Sequence, residues 1–180
     1  MIGYMNYMNI PSTFNWSGLG DIGKGRSSLG YELPVVVYRL FQFALKDILY
    51  REYGEETSSE LYRAAGHLAG MHFARNVLDL SGDFEYFTIN LQKHLSDLKI
   101  GILNIEEANL PSLSLTLTMS ENLESSGLPN TNMTVCDYDE GFLAGILEAY
   151  TGKSFNVKEV DCWATGDRTC RFTVDLQSTA

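Results

Sequence analysis

Basic residues are scarce in this chain: 13 Lys and Arg stand against 23 Asp and Glu in 180 residues, a formal charge of −10. No Lys/Arg cluster interrupts that excess, so a general nucleic-acid surface or an anionic-membrane surface is not expected. Long apolar runs are missing too. No stretch approaches the 18 or more apolar residues of a membrane span. The opening "MIGYMNYMNIPSTFNW" lacks a basic region followed by a continuous apolar one, and does not read as a signal peptide. Cysteine is rare and odd in number, with only Cys136, Cys162 and Cys170. A fully paired disulfide framework is therefore a poor fit. Repeats and low-complexity tracts are absent. Together these absences place the chain in the cytoplasm, where the cysteines are free thiols, redox groups or metal ligands.

What remains has ordinary globular proportions, 44% hydrophobic and 20% charged, enough for one domain with a core of its own. Residues 1–30 are rich in Gly, Asn and Ser and read as an irregular arm. Within it, Gly18, Gly20 and Gly23 match G-x-G-x-x-G. A dinucleotide fingerprint needs a buried strand before it and a helix after it. "NIPSTFNWS" before and Gly25, Ser27, Ser28 and Gly30 after supply neither, so the match reads as a loop.

From Leu33, apolar residues recur at helical spacing through Val36, Val37, Leu40, Phe41, Ala44, Leu45, Ile48 and Leu49, with Pro34 in the first turn and Gly54 ending the run. A second helix is predicted near Thr57, with Glu60 three residues on as a capping box. Its interior holds Gly66 and Gly70 among alanines. Since each helical glycine costs about 1 kcal/mol against alanine, the spacing predicts close approach of another backbone on that side. A third helix is expected over Asp83–Lys99. The period then shortens to two: a strand near Ile100–Glu106, and another where Leu113, Leu115, Leu117 and Met119 alternate with Ser and Thr. "DYDEGFLAGILEAYTGK" reads as a helix ending at Gly152. The tail reads as two strands about a turn at Thr165–Arg168. The expected architecture for residues 31–176 is a single α+β domain: N-terminal helices packed on an antiparallel sheet, with one inserted helix and a C-terminal hairpin.

Cys162 and Cys170 flank that turn, Glu159 lies three residues before Cys162, and Cys136 precedes the inserted helix. Three thiolates and a carboxylate are able to close a tetrahedral shell around Zn²⁺. Such a shell carries a net charge near −2, so cations or backbone N–H groups are needed beside it, with Arg168 and Arg171 as candidates. On an ideal strand Glu159 and Cys162 point to opposite faces; both ligate only if the chain kinks or bulges near Asp161. The alternative is that the cysteines are small buried hydrophobes.

Other candidates weigh less. His67 and His72 are five apart and do not share a helix face; His94 sits among polar residues. Asp139 and Glu140 open a helix, where the dipole favours negative charge. Ser125 and Ser126 have no histidine in their context, and no catalytic constellation is evident. Tyr38, Phe41, Phe73, Phe84, Phe87 and Tyr150 are candidates to line a cavity between helices and sheet, or plain core.

"YDEGFLAGILEAYTG" followed by "VKEVDCWATGDRTCRFTV" resembles the 4-vinyl-reductase domain family of predicted hydrocarbon-binding proteins, and the likeness extends back through "LPVVVYRLFQFAL" and "YRAAGHLAG" over roughly residues 30 to 176. The resemblance implies a fold related to small subunits of a Golgi tethering complex, a homodimer, and kinship with sensor domains for phenol-type aromatics. In those sensors a Cys, a Glu and two Cys hold zinc, matching Cys136, Glu159, Cys162 and Cys170. The His and Trp that contact the phenol hydroxyl there fall at Phe87 and Leu115 here, which implies a more apolar ligand. The expectation is a zinc-stabilised module that binds a small apolar or aromatic molecule and acts through a signalling partner. The alternatives are an accessory or reductase of tetrapyrrole vinyl groups, and a protein-interaction module without ligand.

Overall fold

A computed structural model of the chain describes residues 12–177. The chain divides into two compact units, Met1–Glu32 and Leu33–Ala180. The first unit shows more order than an irregular arm. A 3₁₀ turn at Trp16–Leu19 is capped by the Asn15 side chain, and a single helical turn, α1 (Ile22–Gly25), is capped by Asp21. Gly20 takes φ 76° between them, and no strand precedes Gly18 among the described residues. The glycine spacing thus serves turns, without the setting of a nucleotide fingerprint. Residues 1–11, which hold most of the leader-like opening and part of the expected arm, lie outside the described residues.

In the second unit the helices are α2 (Val35–Tyr53), α3 (Glu55–Val77), α4 (Phe84–Asp97) and α5 (Asp137–Thr151). The strands β1 (Ile102–Asn109), β2 (Ser114–Ser120), β3 (Phe155–Asp161) and β4 (Cys170–Leu176) form one antiparallel sheet in the order β1-β2-β4-β3. This is the expected α+β arrangement, with α5 inserted and a C-terminal hairpin. Helix α3 begins two residues earlier than Thr57 and lacks the capping box; Gly54, at φ 80°, joins α2 to α3, and the Ser58 hydroxyl donates to the Gly54 carbonyl. Asp83 caps α4 by accepting from the Tyr86 N–H.

One face of the sheet is the core. Leu115, Leu117 and Met119 of β2 and Phe172 and Val174 of β4 point inward, where α4 supplies Phe87, Leu91 and Leu95 and α5 supplies Leu143, Ile146 and Leu147. The predicted backbone approach lies between α3 and α5. A Cβ at Gly66 would sit 2.0 Å from the Tyr138 carbonyl oxygen, and one at Gly70 would sit 2.1 Å from that of Phe142. The partner helix repeats the device: Gly141 and Gly145 face the carbonyls of Arg63 and His67 at 1.9 and 2.2 Å. Two small-xxx-small stripes interlock, and the N-terminus of α5 is pinned where they meet.

Helix α2 departs from expectation in what it buries. Of its 19 residues only Gln42 is buried, while Val36, Leu40 and Phe41 are 60–70% exposed. Polar contacts hold it instead: the Arg39 guanidinium donates to the carbonyls of Leu123 and Ser126, the Lys46 ammonium to that of Val135, and the Tyr62 hydroxyl to that of Gln42. Helical periodicity identifies an apolar stripe but does not say that the same chain covers it. Among the described residues no helix is long and apolar enough to cross a membrane.

Candidate metal centre and apolar groove

Cys136, Glu159, Cys162 and Cys170 come together from four places. Cys136 is the residue before α5, Glu159 lies in β3, Cys162 opens a 3₁₀ turn (Trp163–Thr165), and Cys170 begins β4. All four are buried, and their ligand atoms lie within 4.8 Å of one another. The geometric obstacle is removed at the expected point: the β3–β4 register slips between Glu159 and Asp161, a bulge that turns Glu159 and Cys162 to the same side.

The local chemistry suits a cation. Glu159 Oε2 accepts the N–H groups of Val135 and Cys136 at 3.1 and 3.0 Å, whereas Glu159 Oε1 is buried with no partner. A carboxylate oxygen left so in a protein interior costs about 1–3 kcal/mol or more unless something occupies the space before it. Cys136 Sγ and Cys170 Sγ are 3.7 Å apart. That is far from a disulfide and close to the ~3.8 Å between two sulfurs on one tetrahedral zinc with Zn–S bonds of about 2.3 Å.

The three thiols also share charge among themselves. Hydrogen bonds from the Cys136 and Cys170 thiols pull Cys162 well below the ordinary thiol range. The bond to Cys162 pushes Cys136 up. At Cys170 the downward pull of Cys136 is outweighed by Cys162 and burial together, which raise it. Burial raises the Glu159 carboxyl to about 8 against its two N–H donors. The charge on the cluster is met by backbone and hydroxyl: the Ala164 N–H donates to Cys162, and Ser125 Oγ lies 3.0 Å from Cys170 Sγ.

The arginines do not supply that role. Arg171 follows an inward cysteine on β4, so it points to the other face, where it pairs with Glu106 and Asp161. Arg168 is exposed in the turn. His67 pairs with Glu148, and His94 Nδ1 meets the Asn90 carbonyl.

A second layer was not legible in the sequence. Asp139 is buried behind the thiols, where its Oδ2 accepts from Asn122 Nδ2 at 2.6 Å. Asn122 Oδ1 in turn accepts the N–H groups of Glu124 and Ser125, folding the loop after β2 under the cluster. Glu124 is also buried, beside Gln42, whose amide donates to its carboxylate. Burial raises Asp139 to about 6 and, with the Asp139 charge, lifts Glu124 well above the usual carboxylate range. Asp137 and Glu140, by contrast, are salted to Lys46, Arg63 and Lys158.

The candidate pocket residues divide between two places. Phe84, Phe87 and Leu115 line a remnant of about 10 Å³ between α4 and the sheet, where Phe87 stacks on Tyr150 at 3.9 Å. Phe73 packs against Phe142 in the core. Tyr38 and Phe41 line a separate groove of about 250 Å³ between α2 and α3, with Leu45, Leu49, Ala65 and Tyr138. The room for an apolar molecule therefore lies between helices, while the space between helix and sheet is filled.

The chain is 26% identical to the uncharacterized protein MJ0150 of Methanocaldococcus jannaschii over 60% of its residues, and the match spans only 61% of that relative's length. Among solved structures, the phenol-responsive sensory domain of the transcription activator PoxR, with phenol, superposes with a TM-score of 0.64 at 15% identity, covering 82% of this chain and 76% of that one. A vinyl-4-reductase family protein from M. jannaschii superposes with 0.59 at 21% identity, covering 83% and 85%. These likenesses establish a shared fold. The family model of the 4-vinyl-reductase domain matches from Leu115 in β2 to Leu176 in β4, a stretch containing all four clustered donors, and over residues 115–176 this chain carries that domain.

Proposed function

We propose that the chain is a cytoplasmic small-molecule-binding module of sensory type, stabilised by one zinc ion and acting as a homodimer through a signalling partner. The observation that carries the metal part is the buried Cys₃Glu set with Glu159 Oε1 unpartnered in front of three thiols. A closed four-donor shell is the structural kind of zinc site. In it the ion ties α5, the β3 bulge and the start of β4 to one point. The 4-vinyl-reductase domain match and the fold shared with a phenol-sensing domain support the sensory reading.

The ligand reading rests on the groove between α2 and α3, which is apolar along its walls and ends on the Tyr38 and Gln42 side chains. A volume of about 250 Å³ falls just below the ~300 Å³ at which small-molecule sites begin, so a compact aromatic or short hydrocarbon is the fitting class. Because the groove is floored by α2, a bound molecule would bias how α2 sits on the body, which is the two-state element a sensor needs. The exposed apolar stripe of α2 supports the homodimer, since a second copy would cover it.

The test combines two measurements on one preparation. Elemental analysis should find zinc that is lost in Cys162→Ser together with thermal stability. A fluorescent naphthylamine probe should bind the parent protein and be excluded by Ala65→Phe, which fills the groove. Metal-free parent protein as stable as the zinc-loaded one would sink the metal reading; probe binding unaltered by Ala65→Phe would sink the groove.

A further inference from the structure

Two buried carboxylates remain without a cation after the four-donor site has been described. A Glu124 oxygen, an Asp139 oxygen and Cys136 Sγ lie within 4.8 Å of one another, all three residues buried. Glu124 Oε2 has no partner, and the residue is 2% exposed. The nearest basic side chain, Lys46, is committed to Asp137 and the Val135 carbonyl. We propose that Glu124, Asp139 and Cys136 form a second metal site, adjoining the first through the shared Cys136 sulfur and taking a zinc-class divalent ion.

Four features of the structure support it. Each carboxylate is oriented by a side-chain amide, Gln42 on Glu124 and Asn122 on Asp139, which is the outer support that ligating carboxylates usually have. Asn122 fixes both ligands at once, because its carbonyl holds the Glu124 N–H at 2.7 Å while its amide holds Asp139. The donor set of two oxygens and one sulfur suits a borderline ion and disfavours Ca²⁺ or Mg²⁺, which take oxygen alone. Finally, Glu124 forms part of the wall of a cavity of about 90 Å³ with Lys46, Thr134 and Val135. At ~30 Å³ per water this holds about three molecules, so a fourth position on the ion would be wet.

The two sites then differ in kind. The four-donor site is closed. The three-donor site keeps an open position toward the cavity, the arrangement that lets zinc accept an exogenous oxygen or sulfur ligand. Charge points the same way: three thiols and three carboxylates share one buried cluster, and one divalent ion offsets only part of it. This inference rests on the four-donor reading only through Cys136, so the variants below separate the two.

The experiment is metal analysis of zinc-saturated, gel-filtered protein, with X-ray absorption on the cobalt-loaded form. Parent protein should hold about two zinc per chain, Glu124→Gln and Asp139→Asn about one, and Cys162→Ser should lose the four-donor ion. Cobalt-loaded parent should show a metal–metal distance of about 3.5–4 Å that is missing in Glu124→Gln. Because Glu124→Gln is nearly isosteric and the absorption measurement uses unaltered protein, a folding defect in one variant does not decide the matter. One zinc in the parent, kept in Glu124→Gln and lost in Cys162→Ser, overturns the second site and leaves the first. One zinc lost in Glu124→Gln but kept in Cys162→Ser overturns the four-donor reading and supports this one. No zinc in the parent overturns both.

Discussion

Replacing Gly70 by alanine sets two effects of opposite sign against each other. Alanine in a helix interior is favoured over glycine by about 1 kcal/mol. Against this, the added Cβ would meet Phe142 O at 2.1 Å and Phe142 C at 2.9 Å, both backbone atoms of α5. A backbone cannot swing aside as a side chain can. Restoring ordinary contact near 3.4 Å requires the helices to part by about 1.3 Å at this point. A gap of about 0.5–1 Å already forfeits a quarter to a half of each dispersion contact, and Leu143, Ile146 and Leu147 of α5 are almost fully buried beside it. Overpacking costs of about 1–3 kcal/mol are usual, and here the upper end applies, leaving a net loss of about 2 kcal/mol after the helical gain. For a chain of this size that is a fall in Tm of roughly 4–8 °C. Thermal and urea unfolding, followed by circular dichroism at fixed metal loading, would measure it. A Tm equal to or above the parent's would overturn this expectation, because it would mean that α3 and α5 are not held at glycine distance.

Asn122→Ala removes the amide that satisfies Asp139 and the carbonyl that holds the Glu124 and Ser125 N–H groups; urea unfolding should show a loss of about 2–3 kcal/mol, and unchanged stability would mean that the loop does not depend on it. Phe87→Ala empties a fully buried ring site stacked on Tyr150 and should cost about 3–5 kcal/mol; the apolar cavity it leaves should bind benzene, read as a partial recovery of Tm on adding it, and no recovery would mean that the site has collapsed. Phe41→Asp places a charge on the exposed stripe of α2 and should convert a dimer to monomer in light scattering, with circular dichroism unaltered; a parent protein that is already monomeric would remove α2 as the homodimer surface.

What the sequence made legible follows from how local each signal is. The glycines of α3 announced a close backbone contact, since nothing else justifies two of them inside a helix, and Gly141 and Gly145 were the matching half. The Glu159–Cys162 spacing announced a bulge, because a strand's alternation forbids both side chains on one face; the slip in register lies between Glu159 and Asp161. Helix α2 shows the limit of periodicity. Its stripe was legible, but burial is a property of two surfaces and only one of them is written in the stripe.

The buried acids show a different limit. Asp139 sits in the first turn of α5, where a carboxylate is expected on dipole grounds alone, and Glu124 sits in "ENLESSG", which reads as a solvated loop. Their fate is decided by Asn122, a loop residue 17 positions before Asp139, whose amide turns the loop inward and carries Glu124 with it. Asp137 and Glu140 share the same helical turn and the same residue chemistry, yet they meet Lys46, Arg63 and Lys158. Position along α5 separates these outcomes. Cys136 and Asp139 share one face, which the β3 bulge fills with thiols, whereas Asp137 and Glu140 lie on the neighbouring face beside the cations of α2, α3 and β3. The split of one acidic run into a salted pair and a cation-poor pair is thus a consequence of helical geometry. It leaves Asp139, with Glu124, as the place where charge beside the thiol cluster is still uncompensated.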